Sequence, residues 1–257
     1  MSGWLRVVGL GPAGAEWRTP EVEAALAASQ HIVGYHTYLR RVSPPAAAVL
    51  HGSDNGDELA RARHALELTL GGARVTVVSG GDAGVFGMAA AVFEAIEGGP
   101  ASFRELDVRV LPAVTAMLAA AARLGAPLGH DFCALNLSDN LKPWASIEKR
   151  LALAAQADFV LALYNPASKA RSEQATLAFA VLRQHRAPSA IVAFASAVGR
   201  ADEELHITTL GEADPARADM RTLILVGSSS TRRIERPGAL PWIYTPRGSR
   251  ASRAGAS

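Results

Sequence analysis

Arg74-Val75-Thr76-Val77-Val78 runs straight into Ser79-Gly80-Gly81-Asp82-Ala83-Gly84-Val85-Phe86-Gly87. The first part is rich in β-branched residues and predicts a strand. The second packs four glycines around one acid at the strand's C-terminal end. Ligands of α/β folds sit at strand ends, and glycine lets them approach the backbone. An acid there suits a ribose hydroxyl or a cationic ligand, or it caps the helix that follows. That helix is expected from about Met88 to Ile96, and a strand from Val108 to Leu111. Strand, glycine turn, helix and strand together predict α/β layering.

The same grammar extends towards the N-terminus. Trp4 to Gly9 reads as a strand that ends in Gly9-Leu10-Gly11-Pro12-Ala13-Gly14. This loop formally matches the dinucleotide fingerprint, which needs a helix opening at the glycines so that its amides hold a pyrophosphate. Here the helix start is Thr19-Pro20, a hydroxyl cap followed by proline, with Glu21 and Glu23 in the first turn. It comes several residues too late, and Pro12 removes one loop amide. The second strand, His31 to Tyr35, also ends without an acid for a ribose. A tight glycine turn without a nucleotide is the plainer reading. Asp54 to Asp57 starts a helix that reaches Leu70.

Pro112 marks the expected domain boundary, giving residues 1–112, 113–246 and a solvated tail from 247 to 257. Beyond it, helices are expected over 115–124, 143–156 and 168–184. Strands are expected at 134–137, 159–164, 191–195, 205–210 and 223–226. Few helices fall in the final part, which predicts a mixed sheet there.

Composition sets the outer bounds. The chain has 257 residues, 49% of them hydrophobic, so a well-buried core is expected and global disorder is not. A net charge of +2 gives no electrostatic case for nucleic acid. One cysteine, Cys133, excludes an intramolecular disulfide. It sits in the apolar run Phe132 to Leu135 and reads as a small buried hydrophobe. No uncharged apolar run reaches membrane-spanning length, and the N-terminus moves directly into a strand. A cytoplasmic protein is the expectation. No His and Cys ligand cluster is present, so no metal is expected.

Taken in order, the motifs resemble the tetrapyrrole methylase family, the methyltransferases of sirohaem and cobalamin synthesis. The carriers are Val8 to Gly14, Arg18-Thr19-Pro20, Gly80-Gly81-Asp82-Ala83, Ala113-Val114-Thr115-Ala116 and Asn136-Leu137-Ser138-Asp139. Within the family, four segments look like the branch that methylates precorrin-3B at C17: Ser53-Asp54-Asn55, Gly129 to Cys133, Ser138 to Trp144 and Leu163 to Arg171. So do Gly211 to Asp214 and Tyr244 to Arg247. Ala13, Ala83 and Ala113 depart from the Gly, Pro and Gly the family often has there. All are small, so slightly altered loops are expected.

The resemblance implies two α/β domains with the active site in the cleft between them, the first on the tetrapyrrole side and the second on the cofactor side. It implies a homodimer, S-adenosyl-L-methionine as methyl donor, and a precorrin-type tetrapyrrole substrate that undergoes ring contraction to precorrin-4. By position, Gly80, Gly81, Asp82, Val85, Thr115, Ala116, Tyr164, Ala195, Thr222 and Leu223 would line the donor. Gly11 and Pro12 would face the tetrapyrrole. Ring contraction calls for a positioned acid or base, and the candidates are Asp54, Asp57, His130 and Asp139. Each has a plainer role, as a helix start for the acids and a loop histidine for His130. Lys142, Lys169 and Arg171 would pair with the substrate's carboxylates, or they are ordinary surface charge. Tyr164 and Trp144 would stack on adenine or macrocycle, or they belong to the core.

Three alternatives stay open at this point. A cobalt-factor III enzyme of the anaerobic pathway would share nearly every motif. A nucleotide-dependent oxidoreductase would bind NADPH or flavin at the first glycine loop. A non-enzymatic tetrapyrrole carrier would bind without transferring a methyl group.

Overall fold

Leu5 and Val7 face one way along the first strand and Val8 the other, and that alternation sorts the helices around it. The computed structural model describes residues 3–168 and 172–248. The chain divides into two compact units, Met1–Ala116 and Met117–Ser257, four residues later than the boundary expected at Pro112.

The first unit contains β1 (Trp4–Gly9), α1 (Pro20–Ala28), β2 (His31–Tyr35), α2 (His36–Leu39) and β3 (Val49–Ser53). It continues with α3 (Glu58–Leu70), β4 (Arg74–Ser79), α4 (Met88–Glu97) and β5 (Asp107–Leu111). All five strands pair in parallel, in the order β3-β2-β4-β1-β5. Leu5, Val7, Val75 and Val77 pack under α3 and α4, against Leu66 and Val92. Val8, Ile32 and Val78 pack on the opposite face, against Val22 and Leu26 of α1. Apolar residues on both faces are what a parallel sheet requires. Thr19 caps α1 by accepting from the Val22 amide at 3.3 Å, with Pro20 at the first helical position, as its sequence predicts.

β3 is a strand that sequence periodicity does not suggest, because it is a half-exposed edge with Gly52 and His51 at its centre. It completes a chain of imidazoles. His31 Nδ1 lies 2.9 Å from His51 Nε2, and His51 Nδ1 lies 3.0 Å from His64 Nε2. Burial, then repulsion from His64 and His31, holds the His51 pKa below the ordinary histidine value. The unfolded chain therefore binds a proton on His51 that the folded chain resists. The contribution is present above about pH 6.5 and lost as pH falls from there through the lowered folded value. Urea midpoints should drop between pH 7.5 and 5.5, and His51→Gln should flatten that drop. An unflattened slope in the variant would remove His51 as its source.

The second unit contains α5 (Ala116–Leu124), β6 (Gly125–Ala126), β7 (Phe132–Asn136), α6 (Trp144–Gln156), β8 (Val160–Tyr164) and α7 (Gln174–His185). β9 (Ile191–Ser196), β10 (Glu204–Thr209), β11 (Thr222–Val226), β12 (Arg232–Arg236) and β13 (Ala239–Tyr244) follow. Its main sheet is mixed, in the order β10-β9-β11-β8-β7, with only β7 and β8 paired in parallel. Ile147, Leu151, Phe179 and Leu182 of α6 and α7 cover one face, and Phe179 stacks on Phe194 at 5.9 Å. A separate three-stranded sheet joins β12 and β13 to β6.

Candidate active site

Two connections leave adjacent strands β1 and β4 for opposite faces of the first unit's sheet, to α1 and α4 respectively. Such a point is where α/β sheets open a crevice at their C-terminal ends. Both glycine loops lie there and are knitted together. Gly11 and Gly81 exchange backbone hydrogen bonds at 3.0 and 3.1 Å, and both adopt left-handed φ, +65° and +60°. Left-handed backbone strongly favours glycine. With its amide already given to Gly81, Gly11 has none to offer a pyrophosphate. The only helical turn near the first loop is a short 3-10 segment, Ala15–Trp17.

Asp82 does not cap α4, whose N-cap is Gly87 with no side-chain partner. Its Oδ1 accepts from the Gly84 amide and its Oδ2 from the Ala113 amide, each at 2.7 Å. One carboxylate thus fastens the glycine turn to the loop after β5, which carries Thr115 and Ala116. Charge-assisted bonds of this kind are the stronger ones. Gly9 closes the junction, since a Cβ there would lie 2.2 Å from the Gly81 carbonyl oxygen. Gly80 is small for another reason: a Cβ would meet the Tyr38 ring at 2.7 Å. Val85 is half-buried and Phe86 exposed, with Phe86 at a left-handed φ of +53°.

Arg41 is the residue that sequence reading missed. Its Nη2 donates to the carbonyls of Leu10, Gly11 and Ala13 at 2.9, 2.7 and 2.6 Å. Its own carbonyl accepts from Arg18. The partners lie some thirty positions apart and share no local motif, so no sequence signal could have found the clamp. Pro12 sits half-buried in the loop that Arg41 holds.

Asp54 and Asp57 stand exposed beyond β3. Asp57 occupies the N-cap position of α3, but its side chain makes no capping bond. Two strand spacings, roughly 10 Å, separate β3 from β4, so these acids are not part of the loop junction.

In the second unit, strand directions bring the ends of β7, β8, β9 and the start of β11 to one end of the sheet. Tyr164, Ala195, Thr222 and Leu223 gather there, all buried. The Tyr164 hydroxyl accepts from the Met117 amide at 3.1 Å and so anchors the start of α5. Thr222 Oγ1 donates to Asp219 Oδ1 at 2.7 Å. Asn136 Oδ1 accepts from the Ser138 amide at 2.9 Å and from Asn165 Nδ2 at 3.0 Å, tying the loops after β7 and β8. Asp139 and Lys142 lie on that first loop, both half-buried. Burial first, then the charge of Arg150, holds Lys142 below the usual lysine range.

His130 is elsewhere. It precedes β7, whereas Asp139 follows it, so a strand of roughly 15 Å separates the two candidates. His130 is exposed and bonded only to its neighbour, its Nδ1 accepting from the Asp131 amide at 2.8 Å. It is therefore no partner for Asp139. A cavity of about 570 Å³ at that far end, lined by Gly129, Arg232, Tyr244 and Arg247, is likewise removed from Tyr164 and Thr222. Burial raises the Cys133 thiol pKa, which suits a packing residue rather than a nucleophile. Lys169 and Arg171, and the tail from residue 249 onward, fall outside the described residues. Among the described residues no group of three His, Cys, Asp or Glu side chains is disposed to hold a metal, and no helix is long and apolar enough to cross a membrane.

A family model described as Tetrapyrrole (Corrin/Porphyrin) Methylases matches residues 5–214. The precorrin-3B C(17)-methyltransferase of a Sinorhizobium species is 53% identical over 247 residues, covering 96% of this chain and 97% of the relative. The crystal structure of the methyltransferase CobJ aligns with a TM-score of 0.91 at 51% identity, over 95% of this chain and 100% of that one. A uroporphyrin-III C-methyl transferase from Thermus thermophilus, complexed with S-adenyl homocysteine, shares the fold at 20% identity and a TM-score of 0.63, over 88% and 92% of the two chains.

Proposed function

The chain belongs to the tetrapyrrole (corrin/porphyrin) methylases, and from that premise we propose that it methylates precorrin-3B at C17, with ring contraction, using S-adenosyl-L-methionine. The observation that carries this reading is the three-loop junction of Gly9, Gly81, Asp82 and Ala113 at the crevice of a parallel sheet. The lining fits a cationic nucleoside donor. No Lys or Arg occurs from Ser79 to Gly98 or from Val110 to Ala116, so a sulfonium meets no like charge from these segments. A Cβ on Gly81 would sit 3.8 and 3.9 Å from Thr115 Cα and Ala116 N, so the glycine turn and the segment after β5 approach each other closely there.

When bound, the donor supplies an electrophilic methyl group on a good leaving group. The protein's work is then mostly positional, holding the accepting carbon in line. Loops pre-set by Asp82 and Arg41 need little further ordering on binding. Gly80, Gly81, Val85, Thr115 and Ala116 are assigned to the donor, together with Tyr164, Ala195, Thr222 and Leu223. The Gly11-Pro12 loop and Lys142 are assigned to the carboxylate-bearing tetrapyrrole. The reading also makes the protein a cytoplasmic homodimer; for the dimer alone, Val49 and Leu50 offer exposed apolar side chains on the edge strand β3.

Calorimetric titration with S-adenosylhomocysteine should give micromolar binding, about −8 kcal/mol, and NADPH should give none. Turnover should favour metal-free precorrin-3B over its cobalt-bound analogue. Binding of NADPH alone would sink the methyltransferase assignment, and preference for the cobalt substrate would move the protein to the anaerobic pathway.

A further inference from the structure

Gln174 opens α7 with only 8% of its surface exposed, and nothing above gives it a task. Its Nε2 donates to both oxygens of Asp139, at 3.2 and 3.3 Å. Its Oε1 is buried and finds no partner among the described residues. Asp139 in turn accepts from no other described group and forms no ion pair with one. Among the described residues, Lys142 on the same loop, Glu148, Lys149 and Arg150 on α6 and Glu173 beside Gln174 are the charged groups nearest in sequence, and none bonds to it. The pair stands at the sheet end that carries Tyr164 and Thr222.

A lysine or arginine partner would pin a carboxylate in its ionised form. A primary amide does not. Its NH₂ serves the ionised acid, and after a flip its carbonyl receives the O–H of the protonated acid. An amide with one end bonded and the other end buried and empty is suited to both states. Leaving a buried carbonyl unpaired forfeits the hydrogen bonds that water would give it, which favours a use for it.

We infer that Asp139 is the proton acceptor of methyl transfer and that Gln174 is the positioning residue that holds it through both protonation states. This rests on the methyltransferase reading above. A C–CH₃ bond forms as the S–CH₃ bond breaks, with its electron pair leaving on sulfur. The macrocycle thereby gains one positive charge, and loses it as an N–H or O–H proton passes to Asp139. The acid returns that proton to water after product leaves.

Single-turnover methyl transfer to precorrin-3B, followed against pH, tests the idea with Asp139→Asn, Gln174→Glu and Gln174→Met. S-adenosylhomocysteine titration of each variant reports that the fold and donor site persist. Asp139→Asn should slow transfer about 100-fold or more. Gln174→Glu places a second carboxylate beside the first and should move the acid limb of the profile up by about one pH unit. Gln174→Met, lacking the donor, should slow transfer and move the same limb in the same direction. A purely structural glutamine would leave the limb where it is in variants that still bind the homocysteine product. Wild-type rates in Asp139→Asn, or an unmoved limb in Gln174→Glu, would overturn the proposal. A wild-type protein that neither binds the product nor methylates would instead bring down the parent reading, and this one with it.

Discussion

Gly9→Ala should cost about 3 kcal/mol of stability, at the upper end of overpacking penalties, and abolish measurable binding of S-adenosylhomocysteine. The new methyl would sit 2.2 Å from the Gly81 oxygen, 2.7 Å from the Ala113 Cβ and 2.9 Å from the Asp82 Cα. Two of those three atoms are backbone, so no side chain can swing away to make room. Relief means parting the loops after β1, β4 and β5, which are the loops assigned to the ligand. Gly72→Ala is the contrasting control. Gly72, unlike Gly9, has a positive φ, +88°, but a Cβ there meets nothing within 4 Å. It should cost only the left-handed penalty of about 1–2 kcal/mol and leave binding intact. Urea unfolding and calorimetry on both variants decide the matter. Equal binding losses in the two would show that general destabilisation, not the loop junction, is at work.

Asp82→Ala should lower the affinity for the homocysteine product at least about 10-fold and stability by about 2–3 kcal/mol, since bonds to a charged acceptor contribute about 1.5–3 kcal/mol each and are not additive. The change strands the amides of Gly84 and Ala113 together and unties the second loop from the third. Asp82→Asn keeps one acceptor but turns an NH₂ towards the other amide, so it should recover only part of the loss. Wild-type affinity in Asp82→Asn would mean that the carboxylate's charge is irrelevant to the site and that one acceptor suffices.

How much of this was legible in advance depended on whether the signal was local. β1 and β4 announced themselves through β-branched runs that end in glycines, and α1 through Thr19-Pro20, because caps and turns are decided within a few residues. β3 escaped detection as an exposed edge without alternation. The β12–β13 hairpin escaped too, since Arg232, Arg233, Arg236 and Pro241 dilute the strand pattern. The helix expected from Ser168 begins only at Gln174. At the site, the glycines and Asp82 were readable, yet the actual job of Asp82 was not. Its second partner, Ala113, lies 31 positions away. Arg41 and Gln174 carry no motif at all. The four candidate acids and bases were drawn from one list, but the fold scatters them. Asp54 and Asp57 go to a sheet edge, and His130 and Asp139 to opposite ends of β7. Spacing along a chain cannot say which end of a strand a loop will reach.

The last of the described strands has a partner that emerges long before it. β13 closes against Gly125-Ala126, and the Thr245 hydroxyl donates to the Pro127 carbonyl across 118 positions at 2.6 Å. The first unit draws all its strands from residues before 112, so it can fold while synthesis is still under way. The second cannot finish until residue 245 has left the ribosome. Until then the edge formed by β6 waits unpaired. Truncation after Ile243 removes Tyr244 and Thr245 with their ties to Ala126 and Pro127, and should lower both soluble yield and the urea midpoint.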